Sequence, residues 1–460
     1  MEKLSKGSND LKEKTNKLDK KTSGFKMWLL VWGLGLAGQL CWNMENQWFN
    51  TFVYAKIGKD PSIISGMIIC SALATTFSTF FFGTLSDRIG KRRHFIAIGY
   101  ILWGIFTIGF GLTQFMSKEM YTLVAFTVVM ADVVMSFFGS MGNDSGFNAW
   151  INDIMTDKNR GGLGAALATQ PVLGTMIGTV AGGLLVGSED NYMRLFVVMG
   201  SIVILFGIIS IFALGPEYDF EPHKKGTFLQ HFLSVFNFKE FFKLKELVIV
   251  HIGLSLFFIG FNVYFAYMGN YIIYYLGYTP DMMGIIEAVP LTLAMFFAIP
   301  IAKLINKNKH PYIVLFAILI NTLGCAITYP IKNTSVDPTK IFDLRLWLGV
   351  FVIGIGYIAI LQTTKVWTKQ LYPKTSRGQF EGIWILFFVL IPMAFGSLIG
   401  EAVVKTSGET FIDTISGKMQ YVPNGNIFLA GGAIVLISII PFLLTVKYHK
   451  ERIKVGEKHE

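Results

Sequence analysis

The chain has 460 residues and a formal net charge of +10, yet only 15% of it is charged and 52% is apolar, with a mean hydropathy of +0.51. A water-soluble chain carries about 25% charged residues, so this composition excludes an ordinary soluble domain and implies a polytopic membrane protein. Cys41, Cys70 and Cys325 all fall in apolar runs, which predicts neither a disulfide framework nor a thiolate metal site.

Taken in chain order, residues 1–24 form a lysine-rich tail with no apolar core or cleavage site, so no signal peptide is expected. Apolar stretches long enough to span a bilayer follow at 27–55, 62–82, 94–114, 120–153, 162–187 and 192–215. They make a first bundle over 25–215. The interval 216–245 contains "FLQHFLSVFNFKEFFKLK", whose Phe228, Leu229, Phe232, Leu233 and Phe236 share one helical face. That pattern predicts an amphipathic helix on the inner membrane surface, or a linker packed on the bundle. Spans resume at 246–277, 282–304, 312–330, 344–370, 380–404 and 426–446, a second bundle over 246–446, before a charged tail at 447–460.

With the N-terminus inside, 29 of the 40 Lys and Arg lie on cytoplasmic segments and nine outside. The bias places both termini in the cytoplasm of a cell membrane. It also accounts for the net charge, so no nucleic-acid partner is expected; a lipid bilayer, a small-molecule substrate and a monomer are. The halves repeat: "NAWINDIMTDKNRGG" and "KVWTKQLYPKTSRGQ" align without gaps, matching Trp150 with Trp367, Arg160 with Arg377 and Gly161 with Gly378. Parallel six-span repeats predict a site between the halves near the bilayer midplane.

Between the second and third spans stands "GTLSDRIGKRR", Gly83 to Arg93. It resembles the loop signature of the major facilitator superfamily. The resemblance implies an all-α fold of twelve transmembrane helices in two pseudo-twofold-related six-helix bundles, working by alternating access. It also implies a gating role for Gly83, Asp87, Arg88, Gly90 and Lys91. Gly83 is expected to let helices approach, Asp87 to pair with basic partners and Gly90 to permit the tight turn. Arg160, Arg377 and Glu381, at the repeated turns, join the same cytoplasmic gate. Asp144, followed by "DKNR" at 157–160, is similar to the glycoside–pentoside–hexuronide:cation symporters, the melibiose-carrier family. That likeness implies a role for Asp144 at the sugar and cation sites. The second span, "SALATTFSTFFFG", lacks that family's carboxylates, and the fifth has Thr169 and Gln170 where it has an arginine.

A charge at the bilayer centre costs about 2.5–3.5 kcal/mol and needs a partner or a wet cavity. In "GQLCWNMENQWFNTF", Gln39, Asn43, Asn46 and Asn50 recur at four, three and four and form one polar stripe. Amides can donate to and accept from sugar hydroxyls, with Trp42 and Trp48 offering flat faces; equally they can bond neighbouring helices. Glu45 lies about 120° off the stripe and is a candidate proton site. Asp132 and Asp144 are about 18 Å apart along an ideal helix and on different faces, so they belong to separate sites. Asn143 joins Asp144 in one polar group, Gln362 and Lys365 form its counterpart, and an Asp144–Lys365 ion pair is expected, as coupling site or gate. Glu287 and Glu401 are expected to snorkel at outer ends. Tyr264, Tyr267, Asn270, Tyr271, Tyr274 and Tyr275 suit a pathway lining or an aromatic belt, and Gly174, Gly178 and Gly182 suit close helix packing.

These residues predict a secondary active transporter for a small polar solute, a sugar or glycoside, coupled to a proton or sodium ion. An exporter or flippase of drugs or lipids on the same fold is the alternative. No enzyme is expected: His94 and His251 stand alone and no metal-ligand pair is readable. With no phosphate-cradling G-x-x-x-x-G-K-[ST] loop, an ion gradient is the expected energy source and no cofactor is expected.

Overall fold

The computed structural model describes residues 24–156, 158–215, 222, 226–234, 236–373 and 380–456. Eleven helices among them are long and apolar enough to cross a membrane: Pro61–Ile89, Arg92–Phe115, Lys118–Asp153, Arg160–Val186, Tyr192–Ala213, Lys245–Tyr275, Pro280–Ile305, His310–Thr328, Leu344–Leu371, Gly382–Ser407 and Asn426–Arg452. These are spans 2 to 12. Span 1, Phe25–Phe52, is equally long but is made less apolar by its own amides. The twelve therefore follow the sequence-predicted runs closely.

Local chemistry fixes the ends. The Asp60 side chain accepts from Ser62 N at 2.9 Å with Pro61 in the first turn, a strong start for span 2. Gly90 closes it with φ of 74°, a left-handed cap that suits glycine. Large apolar side chains such as Leu73, Phe126, Phe212, Phe316 and Leu443 point outward, which suits contact with lipid tails.

Packing repeats between the halves. Span 1 packs on 5 and 6, span 2 on 4, and span 3 on 4 and 6; span 7 packs on 11 and 12, span 8 on 10, and span 9 on 10 and 12. Adding six to each number of the first set gives the second. The halves meet where 1 lies against 7, 2 against 11 and 5 against 8, a set that is also closed under the pseudo-twofold. Below, the terminal face is the one where span 1 begins and span 12 ends, and the far face is its opposite.

Two features depart from the sequence reading. The linker takes the second expected form, packed on the bundle, and does so as two short helices rather than one, Phe228–Ser234 and Phe238–Phe241. Phe228, Phe232 and Phe236 lie against Phe81, Phe77 and Phe80 of span 2, while Leu229 and Leu233 stay exposed. On the far face, Glu409–Ile412 and Met419–Val422 form an antiparallel hairpin within a predicted loop.

Candidate functional site

Span 5 seats span 1. A Cβ on Gly174 would stand 2.5 Å from Gln39 Cβ, one on Gly178 2.5 Å from Asn43 Oδ1, and one on Gly182 2.1 Å from Trp48 Nε1. The glycine ladder thus lets the amide helix lie directly on its neighbour. Asn43 donates to Thr179 at 3.1 Å and Trp48 Nε1 to the Gly178 carbonyl at 3.3 Å. These bonds fix the rotation of span 1 and point its remaining amides inward.

They point into a cavity of about 370 Å³ between the halves, within the range of small-molecule sites. Gln39, Trp42, Asn43, Asn46 and Gln47 form one wall; Phe258, Phe261, Phe265, Tyr357, Phe388 and Met393 form the other. One wall therefore hydrogen-bonds and the other is aromatic. The sequence reading named Gln39, Trp42, Asn43 and Asn46 of the first wall but not Gln47, and it missed the second. Phe258, Phe261 and Phe265 recur at three and four, so their shared face was legible, though identical to ordinary packing.

A side chamber of about 20 Å³ opens beside Asn46 and is lined by Glu45, Asn50, Ser71, Asp132 and Asn262. That volume holds about one water. Ser136 of span 4 donates to Glu45 at 2.8 Å, and Asp132 sits beside Ser71 of span 2. Glu45 is within electrostatic reach of Asp132 and, more weakly, of Asp144. Glu45 Oε2 and Asp132 Oδ1 are buried with no hydrogen-bond partner among the described residues. Two carboxyls with open oxygens facing one small chamber are suited to binding a proton or a small cation.

Other sequence-predicted residues fall elsewhere. Asn143 is buried away from the cavity, donating to the Tyr100 hydroxyl at 2.7 Å and accepting from Trp42 Nε1 at 3.3 Å; it positions Trp42. Asp144 lies in a π-helical stretch, Ser140–Phe147, beside Ser140. The extra residue per turn re-aims side chains, so the ideal-helix angles used for span 4 do not hold. No ion pair joins Asp144 to Lys365 among the described residues: Asp144 sits beside Ser140 of its own span instead, while Lys365 is exposed on span 10. Gln362 is partly buried and does not line the cavity.

At the far face the halves are tied. Asn270 donates to the Asn50 carbonyl at 3.2 Å, Tyr274 to Thr51 at 3.3 Å and Tyr267 to Pro61 at 3.2 Å. Thus three members of the span 7 cluster bond across the seam. Glu401 does not snorkel: it accepts from Ser62 at 3.0 Å, from Ser65 and from Lys405 at 2.7 Å. Glu287 does not snorkel either, being fully buried. Span 5 packs on its helix and Gln47 of span 1 stands beside it, which distance from a span end does not reveal. Tyr421 N also donates to the Lys59 carbonyl at 2.7 Å, and Lys59 N to Gln420, so the hairpin straps one half to the other.

At the terminal face, the bonds made by Arg92, Trp367 and Arg452 each lie within one half. Arg92 pairs with Asp87 and, at 2.9 Å, with Asp153, joining spans 2, 3 and 4. In the second half Trp367 donates to Glu246 at 2.8 Å, and Arg452 donates to it at 3.1 Å. Arg88 donates to the Gly226 carbonyl of the linker at 2.9 Å, while Lys91 and Arg160 are exposed. The close approach expected at Gly83 is not found here, since a Cβ would meet only Ser145, at 4.0 Å. Arg377 and the Glu381 side chain lie outside the described residues, as does Asp157 of the "DKNR" stretch.

Two repeated helical halves around a central cavity, tied at the far face, define a membrane transporter rather than an enzyme. The model of the Major Facilitator Superfamily matches residues 31–363 and 250–459. The chain belongs to that superfamily. It is 25% identical over 369 residues to the human MFS-type transporter SLC18B1, covering 77% of this chain and 73% of that one. It is 23% identical over 384 residues to a putative proline/betaine transporter of Staphylococcus haemolyticus, covering 80% and 74%. Among solved structures, the nucleoside transporter NupG superposes with a TM-score of 0.66 at 14% identity, over 91% of this chain and 99% of that one. A bacterial homologue of the human lysosomal transporter Spinster, inward-facing and unoccupied, gives 0.63 at 14% identity, over 93% and 96%. These two likenesses show the fold.

Proposed function

We propose that the chain carries a small solute with one hydrogen-bonding face and one flat apolar face, coupled to a proton or sodium ion, by alternating access. A glycoside with an aromatic or apolar aglycone has this shape. The observation that carries the reading is the two-walled cavity with the Glu45–Asp132 chamber opening beside it. Amides would take hydroxyls, aromatic faces would stack on the flat side, and the paired carboxyls would bind the coupling ion. Names borne by relatives and neighbours, proline/betaine and nucleoside transporters, are consistent with a small polar organic solute. The Asp144-to-"DKNR" spacing supports a place near the melibiose-carrier family. Gln170, however, stands where that family has its sugar-binding arginine and donates to the Val31 carbonyl at 2.9 Å. Sugar contact would therefore come from span 1. Both termini in the cytoplasm, a cell-membrane location, a monomeric state and the division at 216–245 belong to the same proposal.

Export of drugs or lipids is the second reading, favoured by Phe258, Phe261, Phe265, Phe388, Met268, Met295 and Met393 on one wall. A thermal-shift panel of aryl glycosides, nucleosides, betaines and lipophilic cations separates the two. At about 100 times its dissociation constant a ligand stabilises by about 2.7 kcal/mol. The first reading expects a polar two-faced solute to raise the melting temperature, with the shift lost in Gln39→Leu and in Phe261→Ala. Stabilisation by lipophilic cations or lipids alone would establish the second.

A further inference from the structure

Spans 5 and 8 close the far side by backbone contact. A Cβ on Gly183 would stand 2.8 Å from the Pro280 carbonyl oxygen, and one on Gly284 2.6 Å from that of Thr179. One turn from Gly284 on the same face is Glu287, fully buried, with no hydrogen-bond partner for either oxygen among the described residues. Leu291, a further turn toward the terminal face, lines the cavity, and so does Gln47 of span 1, the polar neighbour of Glu287. Glu287 therefore sits in the cavity roof, on the seam that must part when the far face opens.

Among the described residues, the groups around it carry no charge. Span 5 presents Thr179 and Gly183, span 1 presents Gln47, and span 10 meets span 8 through Gly354 against Leu291 and Ala294. Asp281 lies six residues toward the far face on its own helix. An ionised carboxylate buried beside the neutral Gln47 amide is far costlier there than a neutral one, so the closed seam favours the acid over the anion.

We propose that Glu287 is a proton-binding site, separate from the Glu45–Asp132 chamber, whose neutral form permits the far face to shut. Parting of spans 5 and 8 wets the carboxyl and releases its proton to far-side water; closing takes one proton back from that side. Only the O–H bond is made and broken. The inference rests on the alternating-access reading and adds a proton step to it.

The test is a distance measurement by double electron–electron resonance. Spin labels replace the exposed Lys118 and Lys340, on far-face loops of different halves, in a chain with its three native cysteines changed to alanine. The wild-type ratio of far-open to far-closed molecules is expected to rise with pH, by up to about tenfold per pH unit for each linked proton. Glu287→Gln flattens that slope by one proton's worth, and Glu287→Asp, which still titrates, retains it. An unchanged slope in Glu287→Gln, a flat one in Glu287→Asp, or no pH response in the wild type overturns the proposal. If solute shifts the two distances while Glu287→Gln keeps the wild-type slope, this inference fails and alternating access stands. A single distance under every pH and solute condition removes both.

Discussion

The seam between spans 2 and 11 and the seam between spans 5 and 8 are related by the pseudo-twofold, yet they close by opposite chemistry. At the first, Glu401 gathers Ser62, Ser65 and Lys405, and the hairpin adds its strap at Lys59. At the second, glycines bring two backbones together over a buried carboxyl whose polar neighbour is the neutral Gln47 amide. The first seam is a polar latch near water, sensitive to salt and worth little per bond. The second is a packing latch whose closure excludes charge. A symmetric scaffold thus places an acid in each seam and gives each a different task, because Glu401 has a lysine and two hydroxyls beside it whereas Glu287 has a neutral amide.

Four changes sharpen or break this contrast, in falling order of effect. Trp367→Phe removes a donor to Glu246 inside the second half. A hydrogen bond to a charged group contributes about 1.5–3 kcal/mol, so thermal stability should fall while the far-face distances stay unchanged. A shift in those distances would mean that this bond acts beyond its own half. Gly284→Ala places a Cβ 2.6 Å from the Thr179 carbonyl, and overpacking costs about 1–3 kcal/mol. Spin-label distances should move toward far-open, whereas Gly83→Ala, with Ser145 at 4.0 Å, should leave them alone. Equal responses from the two glycines would refute the packing latch. Lys405→Met breaks a pair whose side chains are 35% and 17% exposed; a loss of about 1 kcal/mol or less is expected, disappearing in high salt. An effect that persists in ~1 M salt, where screening is nearly complete, would show a drier latch than described. Gln420→Ala, which loses one bond to Lys59 N, should shift the closed population by less than about fivefold, the equivalent of about 1 kcal/mol. Full opening would make the hairpin the main tie.

The membrane helices were legible because a bilayer-length apolar run is a local signal; even the ends at Asp60–Pro61 and Gly90 carried their capping chemistry. Amides at Gln39, Asn43 and Asn46 were legible as a stripe, since the four-three spacing holds in a regular helix. What failed were relations between helices. The approach of Glu45 to Asp132 depends on how spans 1 and 4 rotate, and the π-helical stretch at 140–147 changes the phase beyond it. Glu287 and Glu401 were judged by distance from a span end, which says nothing of the helix covering them. The hairpin had a weak signal in "ETFIDTISGKMQYV", with Gly417 at φ 65° in its turn, overridden by its position in a loop between two spans.

Proton-driven accumulation in proteoliposomes tests the central claim, that Glu45 and Asp132 couple an ion to solute in the adjoining cavity. The solute identified by thermal shift is supplied at the far face under an imposed proton gradient, acid outside, with a sodium gradient as the parallel arm. One of the two gradients should concentrate it inside the wild-type vesicles, while Glu45→Gln only equilibrates it, at a rate insensitive to that gradient. Accumulation by Glu45→Gln equal to that of the wild type would contradict the account, and so would wild-type transport that neither gradient drives.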